Sequence, residues 1–385
     1  MQKVQYDMIY LASCGVNRQK PDVLYLQKVD MESLYKLCCA HQLDALVGMS
    51  IKQAGMALPQ EWNEQIGKSI RKNILFDTER AKILQFMEEN AIWYLPLKGI
   101  VMKELYPAIG MRQMSDNDIF FDEVYAGKLQ AYMESLGYKS ESVGRGCHDV
   151  YKKAPVYNFE MHRTLYKTSG SKASIAYYKN IRNKLLLNEG SAYGYRFKDE
   201  DFYIYMLFHM YKHYSGGGTG IRSLLDIYVF LCQKELQMDF SYIEQECKAL
   251  EIAEFEKQNR ELCKKLFVPS AVPMQEELEQ QLTIKEKEML AYYLSSGVHG
   301  KHTYMVQNNM KKYEKKTGMF SKVGYLWSRL FPDIEGFSHL PFIYKHKWLL
   351  PVGWIYRIIL LVFDKERRTK IGNEIKIVRN SETEQ

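Results

Sequence analysis

The stretch from Leu97 to Asp122, LKGIVMKELYPAIGMRQMSDNDIFFD, constrains the fold more than any other part of the chain. The apolar run IWYLPL leads into it and ends at Gly99, which is typical of a short buried strand. IVMKELY predicts a two-turn helix that ends at Pro107, and DNDIFF predicts a second strand with an aromatic end. This succession requires a sheet that is covered by helices.

The predicted elements continue on both sides of this stretch. GKLQAYMESLGY is amphipathic at a helical spacing, and VYNFEMHRTL alternates as a third strand does. Helical periodicity dominates the residues before the core and returns after it. We therefore expect an α+β protein with a helical region at 1–90, an α/β core at 91–198, a helical domain at 199–300 and a basic tail at 301–385.

Three acids in the predicted core lie where strand alternation brings carboxylates together. Residues i and i+2 of a strand share a face, so Asp116 and Asp118 point the same way while Asn117 points away. The same alternation places Glu160 and His162 on one face of the third strand. Carboxylates this close repel each other unless a cation lies between them, and oxygen ligands suit Mg²⁺ or Mn²⁺. The three acids are therefore candidate ligands of a two-metal centre.

Basic residues and a glycine accompany these acids in the sequence. A glycine between a strand and a helix lets the backbone approach a phosphate, which makes Gly99 a candidate for phosphate binding. Lys98 and Arg112 are candidate cationic contacts to the same phosphates. Arg222 follows the flexible run SGGGTG. It either pairs with Asp226, four residues further along a helix, or points toward the nucleotide phosphates.

The residues YLPLKGIVMKELYPAIGMRQMSDNDIFF, followed by FEMHRTL, resemble the uncharacterised nucleotidyltransferase family of bacteria, a branch of the DNA polymerase β-like nucleotidyltransferase superfamily. The resemblance extends over residues 40–232 and is most specific over 95–165. It implies a mixed-sheet nucleotidyltransferase core with Gly99 in the phosphate-binding turn and the three acids as metal ligands. The usual Gly-Ser of the superfamily is replaced by Lys98-Gly99-Ile100, which removes a hydroxyl that often touches the phosphate.

The resemblance implies a metal-dependent transfer of NMP from an NTP to a hydroxyl acceptor, with release of pyrophosphate. Asp116, Asp118 and Glu160 would hold Mg²⁺ or Mn²⁺ and carry the catalysis. The residues expected to contact the nucleotide are Lys98, Gly99, Arg112, His162 and Arg222. Two alternatives stay open: a glycosyltransferase that binds a nucleotide-sugar through its Asp-x-Asp, and a non-catalytic nucleotide-binding protein with a transferase fold. The acceptor is open among tRNA, protein, a small molecule and a glycan.

The composition favours a globular protein of the reducing cytoplasm. Hydrophobic residues make up 46% of the 385 residues and charged residues 26%. The 7 cysteines include no Cys-x-x-Cys pair, and their odd number argues against a complete disulfide framework. The N-terminus shows no apolar segment of signal-peptide length. We therefore expect a cytoplasmic protein without a secretion signal.

Positive charge is concentrated in the C-terminal tail. Residues 301–385 hold 16 Lys and Arg against 8 Asp and Glu, whereas the whole chain has a net charge of +7. The tail contains WLLPVGWIYRIILLVF, from Trp348 to Phe363, which is shorter than the roughly 20 apolar residues of a membrane span and is interrupted by Pro351 and Arg357. We expect no transmembrane segment. We expect this run to be a core helix that caps the fold, and peripheral contact with an anionic membrane or with RNA is the alternative.

Overall fold

The computed structural model describes residues 1–144, 146–166, 171–269, 275–298, 300–317, 322–337 and 340–380. The chain divides into two compact units. The first, here called the sheet unit, comprises Met1–Tyr211 and Gly220–Val298, and the second, the C-terminal unit, comprises Lys212–Thr219 and His299–Gln385. The division into four regions at residues 90, 198 and 300 stays a prediction.

Helices occupy most of the first 90 residues, as their periodicity predicts. They are α1 (Lys3–Val16), α2 (Val23–Leu26), α3 (Met31–His41), α4 (Asp44–Gln53) and α5 (Gln60–Glu89). The side chains of Asp22 and Asp30 accept hydrogen bonds from backbone N–H groups of α2 and α3, which fixes where these helices begin. Along the 30-residue helix α5, Phe76, Ile83 and Met87 recur on one side and are buried in the core of the sheet unit.

A five-stranded mixed sheet follows. Its strands are β1 (Tyr94–Pro96), β2 (Asn117–Phe121), β3 (Lys139–Ser142), β4 (His148–Lys153) and β5 (Tyr157–His162), in the spatial order β1-β2-β5-β4-β3. β2 and β5 are parallel, and the other neighbours are antiparallel. The intervening helices are α6 (Gly99–Met102), which continues into a 3-10 turn at Lys103–Leu105, and α7 (Ala126–Ser135). The α+β class with a mixed-sheet core and helical flanks is confirmed.

The sequence pattern does not predict β3 and β4. β3 has the sequence KSES, without an apolar residue, and lies at the edge of the sheet with its side chains mostly exposed. An edge strand has one neighbour and needs no apolar face. In β4, HDVYKK, the two apolar residues are adjacent rather than alternating. Pairing with neighbouring strands, such as Tyr151 opposite Phe159, holds β4 in place.

A hydrophobic core that includes residues of α5 and α7 covers one face of the sheet. Phe121 of β2 and Phe159 and Met161 of β5 are buried there, together with Leu129 and Met133 of α7. Since successive side chains of a strand point to opposite faces, the even-numbered residues of β2 and β5 face the other side of the sheet. The acids predicted to form the site are on that side.

Further helices and a two-stranded antiparallel sheet complete the sheet unit. They are α8 (Lys172–Tyr178), β6 (Leu186–Leu187), β7 (Tyr195–Arg196), α9 (Asp199–Tyr214), α10 (Arg222–Lys234), α11 (Phe240–Ala249), α12 (Ala253–Phe267), α13 (Gln275–Gln281) and α14 (Ile284–Ser296). Short 3-10 turns lie at Glu123–Tyr125, Ile181–Lys184 and Glu235–Gln237. The helices predicted from residue 199 onward are confirmed, and α9 continues into the C-terminal unit.

The C-terminal unit is helical. Its helices are α15 (His302–Thr317), α16 (Lys322–Leu330), α17 (Pro341–Lys345), α18 (Leu350–Phe363) and α19 (Lys365–Asn380), with 3-10 turns at Ile334–Phe337 and Lys347–Leu349. A small core contains Val306, Met310, Tyr325 and Val378. Within the described ranges, no helix combines the length and the apolar character that a membrane span requires.

The prediction that Trp348 to Phe363 forms a core helix is wrong. These residues are helical, but Gly353 is the buried residue of α18 and most of its apolar side chains are exposed. Helix α18 is covered on the side that carries Gly353 and Trp354, because their neighbours Phe337 and Pro332 pack there. Apolar residues occur on every side of α18, so covering one side leaves apolar side chains on the other sides exposed to water.

Candidate active site

The parallel strands β2 and β5 bring two acids side by side. In their register Asp118 lies opposite Glu160, and Phe120 lies opposite His162. Asp118, Glu160 and His162 therefore share the face of the sheet that is opposite to the core. Asn117 points the other way, as predicted, and its side-chain oxygen accepts a hydrogen bond from α5.

Asp118 is buried between two donors. Its Oδ1 atom accepts hydrogen bonds from Nζ of Lys98 (2.6 Å) and from Nε2 of His162 (2.7 Å), and 3% of its side chain is exposed. Burial by itself would raise the pKa of Asp118, but the Lys98 ammonium and the His162 hydrogen bond outweigh burial and hold this pKa well below its usual range. In turn, burial would lower the pKa of Lys98, but the Asp118 charge raises it. Asp118 is thus ionised and Lys98 protonated.

Asp116 lies directly before β2 and is much less well compensated. Burial and the negative charge of Asp118 raise the pKa of Asp116 from 3.8 to about 7, although Lys98 and Arg112 oppose the shift. In the part of the chain that the structure describes, no hydrogen bond or ion pair reaches its carboxylate. Asp116 is therefore an acid that gains from the arrival of a cation.

Glu160 faces two imidazoles. Its Oε2 atom is 3.7 Å from Nε2 of His148 and 3.8 Å from Nε2 of His162. Burial and the charge of Asp118 raise the pKa of Glu160. His148 lies on β4 directly opposite His162, with the ring centroids 4.9 Å apart. The sequence pattern does not predict His148 as a site residue, because the residues of β4 do not alternate as those of a strand do.

Among the residues that the structure describes, two groups of side chains have ligand atoms close enough to hold a metal ion. Their members are Asp118, Glu160 and His162 in the first group, and Cys147, His148 and His162 in the second, with the ligand atoms of each group within 4.8 Å of one another. The first group provides two carboxylates, which suit Mg²⁺ or Mn²⁺, and Asp116 adds a third beside it. The second offers a thiol and imidazoles, which are typical zinc ligands.

The turn before α6 is conformationally unusual. Lys98 has φ of 47° and ψ of −116°, a region that residues with a side chain rarely adopt. A Cβ atom on Gly99 would lie 2.8 Å from Nη1 of Arg112 and 2.9 Å from Sδ of Met114, so a side chain at this position would displace the ends of both side chains. The predicted two-turn helix is a single α-turn followed by a 3-10 turn. In this structure the neighbours that approach Gly99 closely are Arg112 and Met114.

The chain is matched over residues 27–268 by the family described as uncharacterised nucleotidyltransferase. It belongs to this family. The match includes each of the predicted site residues and the helices from α3 to α12. No curated protein and no solved structure matches the chain. Family membership makes the protein a transferase whose general activity is the transfer of a nucleotidyl group from an NTP.

Arg112 and Arg222 of the nucleotidyltransferase lie in a charged group at the side of the acids. Arg112 donates to both carboxylate oxygens of Asp226, from Nε at 2.9 Å and from Nη2 at 2.8 Å. Arg222 instead donates to the side-chain oxygen of Gln42 and to the backbone oxygen of Gln113 (3.2 Å). The alternative of a helical ion pair between Arg222 and Asp226 is therefore wrong, because Arg112 occupies that carboxylate.

Proposed function

We propose that this nucleotidyltransferase transfers NMP from an NTP to a hydroxyl acceptor and releases pyrophosphate, in a reaction that depends on Mg²⁺ or Mn²⁺. The register of β2 and β5 carries the proposal, because it sets Asp118 beside Glu160, and Asp116 lies two residues before Asp118, directly before the start of β2. The family match supports nucleotidyl transfer over the transfer of a sugar. The identity of the acceptor stays open.

The donor set fits a hard divalent cation. Asp116, Asp118 and Glu160 are close enough for each to change the pKa of another, and a cation would relieve their repulsion. Asp116 and Asp118 would bind two ions, and Glu160 would bind one of them. When bound, such ions neutralise charge on the phosphates and lower the barrier to in-line attack at the α-phosphorus.

The protein's own side chains divide the remaining work. Lys98 and His162 keep Asp118 ionised. The raised pKa of Glu160 suits it to accept a proton from the acceptor hydroxyl. Lys98 is the cation nearest to the acids, and we assign it to the phosphates together with Arg222. Arg112 holds Asp226 with two of its nitrogens, so a phosphate contact from it would use Nη1.

A double-label assay tests the proposed reaction. The protein is incubated with Mg²⁺, cell lysate and each NTP, labelled on the α-phosphorus in one reaction and on the γ-phosphorus in another. We expect the α-label in a product and the γ-label in pyrophosphate. A product that keeps the γ-label would contradict the proposal. In a parallel reaction with a nucleotide-sugar labelled in its sugar, transfer of that label to a product would also contradict it.

Two matched variants connect the result to the site. Asp118→Asn should remove transfer of the α-label. Asp122→Asn, directly after the same strand, should retain it, since Asp122 accepts a backbone hydrogen bond there and asparagine can do the same. Equal loss of transfer in both variants would show that the loss is not specific to Asp118.

A further inference from the structure

Helix α18 turns its apolar side chains toward water. The exposed residues recur at a helical spacing and form a stripe, here called the α18 stripe, of Val352, Ile355, Tyr356, Ile359, Val362 and Phe363. Their exposed fractions run from 45% for Tyr356 to 81% for Phe363. A helix of a globular protein normally buries such a stripe and exposes its polar side. An exposed contiguous apolar surface indicates a surface that binds something.

The contacts of α18 within its own unit fix this orientation. A Cβ atom on Gly353 would lie 2.8 Å from the Phe337 ring, so the helix is packed closely at that point. Nε1 of Trp354 donates to the backbone oxygen of Pro332 (2.9 Å), and Arg357 donates to a backbone oxygen of α16 (3.0 Å). Trp354 and Arg357 thus lie on the covered side of the helix, and the α18 stripe lies on the other side.

Two exposed tryptophans accompany the stripe in the same unit. Trp348, just before α18, is 75% exposed, and Trp327 of α16 is 63% exposed. Trp327 packs on Phe331 with ring centroids 4.4 Å apart, and Phe331 packs on Trp354 at 5.7 Å. Tryptophan is enriched where a protein meets the boundary between lipid and water, because one end of the ring is apolar and the other is polar.

The charge of this part of the chain complements an anionic surface. Residues 301–385 carry 16 Lys and Arg against 8 Asp and Glu. Helix α19, which follows α18 directly, exposes the basic residues Lys365, Arg367, Arg368, Lys376 and Arg379. With 14 residues, α18 is about 21 Å long, which is less than the roughly 30 Å of a bilayer core. An apolar stripe on a short helix with basic residues beside it is typical of a helix that lies in the membrane interface.

We propose that α18 is a membrane-interface helix, whose stripe enters the surface of an anionic bilayer while basic residues of α19 contact the lipid headgroups. A nucleic acid fits less well, because the aliphatic members of the stripe offer no hydrogen bond to bases or phosphates. A second copy of the chain also fits less well, because it would bring together two surfaces with the same excess of positive charge. The proposal does not depend on the proposed reaction.

Vesicle flotation of the full-length protein tests this proposal. The probes are vesicles of phosphatidylcholine alone and of phosphatidylcholine with phosphatidylglycerol. We expect the protein to float with the anionic vesicles and to bind less as salt rises, since the screening length falls to about 8 Å at physiological ionic strength. The double variant Ile355→Glu, Ile359→Glu should reduce binding more than about tenfold, because both apolar side chains are lost from the stripe.

The matched control variant replaces two exposed apolar residues of the sheet unit by glutamate. Val124 and Leu236 are 83% and 102% exposed, and Val124→Glu with Leu236→Glu should float as the wild type does. If the stripe variant has a lower melting temperature than the control, Val352→Ser with Phe363→Ser replaces it. Each of these results would overturn the proposal: no flotation at low salt, equal flotation of the stripe variant and the wild type, or a stripe that mediates only RNA binding or dimer formation.

Discussion

The two units of the molecule differ in opposite ways from the usual distribution, in which charged side chains are exposed and apolar side chains are buried. The sheet unit holds a partly buried acid without an ion partner, since burial raises the pKa of Asp116 and, among the described residues, no ion pair reaches its carboxylate. The C-terminal unit exposes apolar surface along α18. Most proteins keep charges in water and apolar side chains inside, and they depart from this rule mainly where a ligand or partner will complete the arrangement. This difference is the reason for both proposals, a divalent cation at the sheet unit and a lipid surface at the C-terminal unit.

Each unit also contains an ordinary counterpart to its exception. In the sheet unit the buried Glu79 is paired with Lys153 and Lys82, so its charge is compensated inside the protein. In the C-terminal unit Arg329 binds Glu374 at 2.7 Å, and Val306 is completely buried. The exceptions are Asp116 and the α18 stripe. The four predictions that follow concern the acids of the site, a buried ion pair beside them and this stripe.

The largest effects are expected at the acids Asp118 and Glu160. Asp118→Asn removes the carboxylate that lies beside Glu160 and accepts hydrogen bonds from Lys98 and His162. We expect it to lower kcat/KM by a factor of about 10² to 10³ and also to weaken NTP binding. Glu160→Gln should abolish turnover but leave NTP binding within a few-fold. Steady-state kinetics and equilibrium nucleotide binding measure the two effects. Equal loss of binding in both variants would contradict the proposed division of roles.

Asp226→Ala is expected to have the largest effect on stability. It leaves the guanidinium of Arg112 buried without its carboxylate, which costs about 3 to 5 kcal/mol of unfolding free energy. The control is Glu32→Ala, which breaks an exposed pair with Lys36 and should cost less than about 1 kcal/mol. Urea denaturation of the two variants gives both values. Similar costs would mean that the buried pair is no more important than a surface pair.

Asp116→Asn is expected to stabilise the protein in the absence of metal, to an extent that depends on pH. The folded-state pKa of about 7 lies above the ordinary 3.8, so the folded protein binds this proton more tightly and the wild type loses stability as pH rises through that window. The advantage of the variant should be small near pH 4, grow up to about pH 7 and then stay constant. It should reach about 1 to 2 kcal/mol, because screening of the partly exposed carboxylate reduces the full value.

Denaturation in EDTA at several pH values measures this advantage. A second measurement concerns the ligand. Mg²⁺ with an NTP should raise the melting temperature of the wild type and leave that of Asp116→Asn unchanged. Two results would show that Asp116 is not part of the metal site. One is a gain in unfolding free energy that is the same at pH 4 and pH 8, and the other is a variant whose melting temperature responds to Mg²⁺ as that of the wild type does.

The smallest effect is expected in the α18 stripe. Val352→Ala should change the unfolding free energy by less than about 0.5 kcal/mol, because this side chain is exposed in the folded protein. Val306→Ala, in the core of the same unit, should cost about 1 to 3 kcal/mol. Thermal and urea unfolding compare them. A large cost at Val352 would show that the stripe is covered within the protein in solution.

The strands that carry the acids could be predicted because their local pattern is strong. β2 ends in Ile119, Phe120 and Phe121, and β5 alternates apolar and polar residues, so the faces of Asp118 and Glu160 follow from their positions. β3 and β4 have no such pattern, and His148 was missed with them. Their places depend on pairing across the sheet, which a local pattern does not contain.

Contacts between distant residues were the other part that the sequence could not supply. Arg112 and Asp226 are separated by 114 positions, whereas the local spacing offered a pair between Arg222 and Asp226 as one of two alternatives. For α18 the sequence indicated an apolar helix but not which side its neighbours would cover. Trp354 and Arg357 on the covered side decide that orientation through their hydrogen bonds to backbone oxygens.

The backbone of Lys98 has a consequence for motion. A lysine with φ of 47° costs about 1 to 3 kcal/mol and persists because other contacts hold it, and one of the contacts that hold Lys98 is its ion pair with Asp118. Ion pair and dihedral angle are therefore coupled. When the charge of Asp118 is lost or is taken up by another cation, Lys98 is released from the pair and its backbone can relax. The amides that follow it, from Gly99 to Met102, should then exchange their hydrogens faster with solvent, while those of β2 stay protected.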